Sequence, residues 1–346
     1  MRITFIAIWA LICLLACGPI GGTSADASAG AGGAPEASPL SGLTGSAGAR
    51  PANPHNRQSL VWVWQSYRTS LNTILQNANS FTHVSPALYQ MNYSYQSGVV
   101  QNEVANGHYD GLSGADMATA LHSAGLKIIP LMYAGAGNSG TDMGIQNVLT
   151  DKAVAQSFID SQVQEALDKG YDGWNLDWEV GDGTKYDPYG ASLITFLAAF
   201  KQALNAHGMV LSFDLGGWYV KQCSESGGAG LVDLKAFEPA VDQAIIEDYA
   251  DSLMGPIGKC PGTLPDSQNC GSFVGGLSVM CATGSATSIG LITPGSNPFA
   301  PQALDAIAGY GFSSVALWPD PSGFLNSTGV PNNATWFSVL AAWLAQ

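Results

Sequence analysis

An amide and two carboxylates recur at alternate positions in Tyr171-Asp172-Gly173-Trp174-Asn175-Leu176-Asp177-Trp178-Glu179. Successive side chains of an extended strand point to opposite faces. Asn175, Asp177 and Glu179 therefore share one face, and Trp174, Leu176 and Trp178 the other. The second face is built to pack; the first concentrates groups that hold and move protons. Burying two carboxylates costs roughly several kcal/mol per ion in lost hydration. A structural hydrogen-bond network or an exposed edge strand would be plainer explanations. An edge strand fits poorly with two tryptophans and a leucine on one side. Acid–base catalysis explains the cost better, with Glu179 last on the strand as the group able to donate a proton.

Such a strand needs a frame. From Leu60 onward, short apolar runs alternate with helical stretches. The strand candidates are 60–64, 83–91, 127–133, 173–178, 209–215, 244–249, 273–280 and 314–318. Helices are expected at 115–124, 152–169, 190–206 and 301–309, with a last one at 334–344 closing the ring. Strand–helix alternation argues for parallel strands, and eight repeats in about 250 residues is the size of a (β/α)8 barrel, the TIM barrel. A doubly wound sheet is the structural rival. Barrel active sites lie at the C-terminal ends of the strands, where Glu179 stands. Tyr133 and Trp218 lie at or just past the ends of expected strands and are candidates to line the same cleft.

The stretch Asp172-Gly173-x-Asn175-x-Asp177-x-Glu179 resembles the D-G-x-D-x-D-x-E signature of family 18 glycoside hydrolases, the chitinase family. Asn175 stands where many members have Asp. The likeness continues faintly and in order over 58–346. Residues 148–179 resemble the lead-in to the catalytic strand, 245–251 with Tyr249 resemble the sixth strand, and 314–318 resemble the eighth. The family's Met-x-Tyr-Asp is not reproduced around Tyr249, and Met132-Tyr133-Ala134-Gly135 replaces its third-strand pattern.

The resemblance implies retaining, substrate-assisted hydrolysis of β-1,4-linked N-acetylglucosamine polymers or oligomers. Glu179 would protonate the leaving oxygen and then activate water. Asp177 would orient the substrate's 2-acetamido group, Asn175 would hydrogen-bond Asp177, Tyr249 would hold the acetamido oxygen, and Trp318 would stack on the sugar. Most retaining enzymes oppose two carboxyls about 5 Å apart across the bond, whereas this family uses the substrate as nucleophile. Alternatives are an endo-N-acetylglucosaminidase acting on N-glycan cores, a hydrolase of peptidoglycan or another amino-sugar polymer, and a non-catalytic sugar-binding barrel.

Composition bounds the partners. Net charge is −14, from 26 acidic and 12 basic residues, without a basic run to neutralise phosphates. Nucleic acid is excluded as an expected partner, and a neutral carbohydrate is favoured. No cofactor or metal is expected, and the protein is expected to act as a monomer. Residues 1–20 read as an export signal: Arg2, then the apolar run Ile3 to Ala16, ending in a lipobox-like Leu14-Leu15-Ala16-Cys17. Lipidation at Cys17 or plain cleavage would both put the chain outside the cytoplasm, with membrane contact only through a lipid anchor. Residues 21–57 are dominated by Gly, Ala, Ser and Pro and read as a flexible linker. The catalytic domain is expected at 58–346. Cys223, Cys260, Cys270 and Cys281 suggest two disulfides with three possible connectivities, Cys260–Cys270 being the first pair to test.

Overall fold

The computed structural model describes residues 40–43, 53, 56–64, 67–93, 100–104, 110–134, 139–178, 190–216, 234–247, 288–293, 304–305, 308, 313–319 and 334–346. At 92–93, 100–104, 139–142, 216, 234–235, 246–247, 288–293, 318–319 and 334–336 the description is of the backbone. Two compact units divide the chain, Met1–Ser41 and Gly42–Gln346. In the first, Leu40 and Ser41 are described; the second carries the elements below.

The strands are β1 (Gln58–Val63), β2 (His83–Tyr93), β3 (Val100–Val104), β4 (Lys127–Ile128), β5 (Leu131–Ala134), β6 (Gly173–Trp178), β7 (Val210–Gly216), β8 (Gln243–Glu247), β9 (Ser288–Thr293) and β10 (Ser314–Pro319). Parallel pairings run β1–β2–β5–β6–β7–β8–β9–β10, and β10 pairs back to β1. The ring of eight parallel strands with helices between them is a TIM-barrel-like fold. β4 pairs with β2 just ahead of β5. Pro130 separates the two, because a proline has no N–H to give to a ladder. β3 pairs antiparallel with the far end of β2, Tyr89 to Tyr93.

Local sequence explains the long helices. Lys152–Lys169 starts at Asp151, whose side chain accepts from the N–H groups of Ala153 and Val154, and stops at Gly170, at φ 73°. Gly114–Ser123 opens on a capping box in which Ser113 and Asp116 satisfy each other's backbone. Ala191–Asn205 and Ala334–Ala345 fall within one residue of expectation at each end. Helices Tyr67–Gln76, Ser139–Thr150 and Leu234–Phe237 add to those expected. Of the helix expected at 301–309, Leu304, Asp305 and Ala308 are described, all helical.

Two layers of core enclose the strands. Inside, Leu60, Trp62, Ala87, Ile129, Leu131, Ile245 and Ala316 form one buried cluster. Outside, Trp174 donates its indole N–H to the carbonyl of Gln162 at 3.0 Å, and Trp178 stacks on Phe196 at 5.5 Å between ring centres. Each such buried aromatic contributes about 1.5–3 kcal/mol. The apolar face of β6 packs under helices, as its alternation requires.

Two expectations are corrected. The seventh barrel strand is Ser288–Thr293, not 273–280, which lie outside the described residues. The expected disulfides are withdrawn: no disulfide bond is present among the described residues. Cys223, Cys260, Cys270 and Cys281 lie outside them, as does Cys17. The described frame is held by its closed ladder and two-layer core, without a covalent staple. Among the described residues no helix is long and apolar enough to cross a membrane.

Candidate active site

Strand β6 divides its motif between the two ends of the barrel. Asp172 stands just before the strand, at its N-terminal end. Its Oδ2 accepts from the N–H of Ile128 at 2.8 Å and lies 2.8 Å from Nε2 of His122. It ties β4 and the helix Gly114–Ser123 to the foot of β6, a structural role. Gly173 follows at φ 150°, where a Cβ would collide with the carbonyl oxygen of Val210. Only glycine lets β6 and β7 approach this closely.

Higher in the barrel, Asn175 is fully buried and makes four hydrogen bonds. Its Oδ1 accepts from Trp62 Nε1 at 2.8 Å and from Ser85 Oγ at 2.9 Å. Its Nδ2 donates to Asp214 Oδ1 at 2.8 Å and to Ser212 Oγ at 3.3 Å. Because an indole N–H can only donate, the amide's orientation is fixed by chemistry. Asp214, 3% exposed, also accepts from Trp62 Nε1 at 3.2 Å. Four strands thus meet at one buried amide. A satisfied network of this kind holds a single geometry, since each broken bond would strand a buried polar group.

Asp177 comes next on the same face, 8% exposed. Its ladder neighbours are Tyr133 on β5 and Asp214 on β7. Adjacent strands lie about 4.7–4.9 Å apart, so Asp177 and Asp214 stand side by side on the two strands. Tyr133 is half-buried and meets Trp64 edge-on at 5.7 Å, making an aromatic wall beside Asp177. A second buried polar contact, Gln243 Nε2 to Ser314 Oγ at 2.9 Å, links β8 to β10. Among the described residues, no group of three or more His, Cys, Asp or Glu could hold a metal ion.

The structure therefore brings Asn175, Asp177 and Tyr133 together. Asn175 bonds to Asp214, and among its four contacts the expected one to Asp177 is absent. Trp318 is placed by its backbone, paired with Ile292 near the end of β10. Glu179, Trp218 and Tyr249 lie outside the described residues; Glu179 directly follows the last residue of β6. Sequence reasoning missed Asp214, although Ser212-Phe213-Asp214-Leu215 shows the same alternation of polar and apolar as β6. Ser85 and Trp62 carried no such signal.

Neither a family model nor a curated protein matches this sequence. Solved structures do match in fold. A chitinase from Chromobacterium violaceum is 16% identical with TM-score 0.59, covering 84% of this chain and 99% of its own. Catalytic domain 2 of the Group II chitinase from Ostrinia furnacalis is 12% identical with TM-score 0.60, covering 83% and 96%. The spore cortex-lytic enzyme SleL of Bacillus megaterium is 13% identical with TM-score 0.55, covering 82% and 73%. At these identities the comparisons establish a shared barrel fold.

Proposed function

We propose that this chain is a retaining glycoside hydrolase that cuts β-1,4-linked N-acetylglucosamine polymers or oligomers by a substrate-assisted route. The observation that carries this reading is the placing of Asp177: buried, on the inward face of β6, in register with Tyr133 and Asp214, and two residues before Glu179. The barrel supplies the setting, because sites on this fold open at the C-terminal ends of the strands. The fold likeness to two proteins described as chitinases supports the same substrate class.

In this reading Glu179 gives its proton to the glycosidic oxygen as the bond to the anomeric carbon breaks. The 2-acetamido oxygen bonds to that carbon, forming an oxazolinium ion whose charge the Asp177 carboxyl stabilises. Water then attacks the anomeric carbon, Glu179 takes its proton, and the ring opens with net retention. Tyr249 and Trp318 complete the pocket, and export through residues 1–20, with lipid at Cys17, brings the enzyme to its polymer.

Glu179→Gln tests this directly. An amide cannot donate the proton, and general acid catalysis supplies about 10²–10⁴-fold. Hydrolysis should nearly vanish while oligosaccharide binding persists; activity within a few-fold of wild type rejects Glu179 as the acid. A second reading, hydrolysis of another amino-sugar polymer, draws on the likeness to a spore cortex-lytic enzyme. Product analysis on chitin oligomers, purified spore cortex and a high-mannose glycopeptide, side by side, separates these substrates.

A further inference from the structure

We propose that Gln90 is a sugar-binding residue whose amide hydrogen-bonds the carbohydrate chain on the β2 side of the cleft. This rests on the reading that the site takes N-acetylglucosamine oligomers, and it adds a residue to that site.

A bulge in β2 carries the argument. Ala87 pairs with Leu131, but the register shifts so that Tyr89 pairs with Met132 and Gln90 with Tyr133. Ala87 and Leu131 belong to the barrel's inner cluster. Regular alternation would turn Tyr89 inward with Ala87 and send Gln90 out under the helices. The extra residue reverses both. Tyr89 faces outward, its hydroxyl donating to Glu165 Oε1 at 2.7 Å and lying 3.0 Å from that of Tyr171. Its ring lies 4.9 Å from that of Trp174. That anchorage fixes the strand just where it bulges.

Gln90 consequently joins the inward row of Tyr133, Asp177 and Asp214. It is half-buried, and among the described residues its amide has no hydrogen-bond partner. A partly buried amide beside an active site offers one acceptor and two donors, a match for sugar hydroxyl or acetamido groups. Bulges next to active sites commonly re-aim a side chain in this way. Gln90 stands two strand spacings, about 9–10 Å, from Asp177, which suits the sugar next to the one being cut. Beyond it β2 continues to Tyr93, paired with β3, so backbone rises about 10 Å further on this side.

The test replaces Gln90 with methionine, of similar length but without hydrogen bonds. kcat/KM is measured on a short aryl N-acetylglucosaminide and on N-acetylglucosamine oligomers of increasing length. The same oligomers are titrated calorimetrically into Glu179→Gln protein with and without Gln90→Met. One lost hydrogen bond predicts roughly a three- to tenfold drop on the longer oligomers, expressed in KM and in binding, with the aryl glycoside unchanged. Equal loss on every substrate would mean a structural role and overturn the proposal, as would no loss at all. If the unmodified protein neither cleaves nor binds any oligomer, the site reading itself fails and takes this inference with it. Normal cleavage with an indifferent Gln90 sinks the inference alone.

Discussion

Replacing Asn175 by aspartate would place a second carboxyl against Asp214. The amide's Oδ1 is held by Trp62 Nε1 at 2.8 Å, so the new oxygen must take the position of Nδ2, 2.8 Å from Asp214 Oδ1. Two carboxylate oxygens at that distance in a buried site must share a proton, which raises the pair's upper pKa in the folded state. A raised folded-state pKa means the native state binds the proton more tightly than the unfolded chain. Stability is then retained at low pH and lost as pH rises. Leaving a buried carboxylate oxygen without a donor costs about 2–3 kcal/mol at neutral pH. At about 2–4 °C per kcal/mol, the melting temperature should fall by about 5–10 °C. Thermal melts of Asn175→Asp and wild type from pH 4 to pH 8 test this. The two should nearly coincide at the acid end and separate as pH rises. Adding Asp214→Asn restores a single carboxyl and should close the gap. A gap that stays constant, or narrows with pH, would mean that the two carboxyls do not share a proton.

Other expectations follow from the same geometry. Gly173→Ala forces a Cβ into the Val210 carbonyl and should destabilise the barrel by about 3 kcal/mol or more, read by urea unfolding. Asp172→Ala removes the acceptor for the Ile128 N–H and should cost about 1–2 kcal/mol while leaving kcat intact; a large loss of kcat would show that Asp172 reaches the chemistry. Burial pushes the Tyr171 phenol up from 10.0 to about 12. Its neutral form therefore contributes stability that is complete below pH 10 and lost as pH climbs toward 12, and Tyr171→Phe should flatten that limb of a pH–stability profile.

Much of this architecture is written in period and punctuation. The expected helix 152–169 matches Lys152–Lys169, which Asp151 and Gly170 cap in the structure, and β6 is legible because polar and apolar residues alternate along it. The seventh strand was misplaced because 273–280 and Ser288–Thr293 are both short apolar runs holding glycine, and ring closure, a long-range fact, chooses between them. Asp214 was missed for a related reason. Its alternation on β7 was visible, but its contact with Asn175 depends on register between strands, which local sequence does not encode. The bulge at Ala87 to Tyr89 is equally silent: Leu88-Tyr89-Gln90 reads as ordinary strand until its partner's register is known. The cysteines drew a disulfide expectation from composition and compartment alone, which the described frame does not bear out.

In the proposed mechanism the substrate supplies its own nucleophile beside Asp177 and Glu179. Incubating the protein with N-acetylglucosamine oligomers and with fully deacetylated oligomers, and following the newborn anomer by proton NMR, tests it most directly. Cleavage of the acetylated chain alone is expected, with the β-anomer appearing first. Efficient cleavage of the deacetylated chain, or first appearance of the α-anomer, would contradict it.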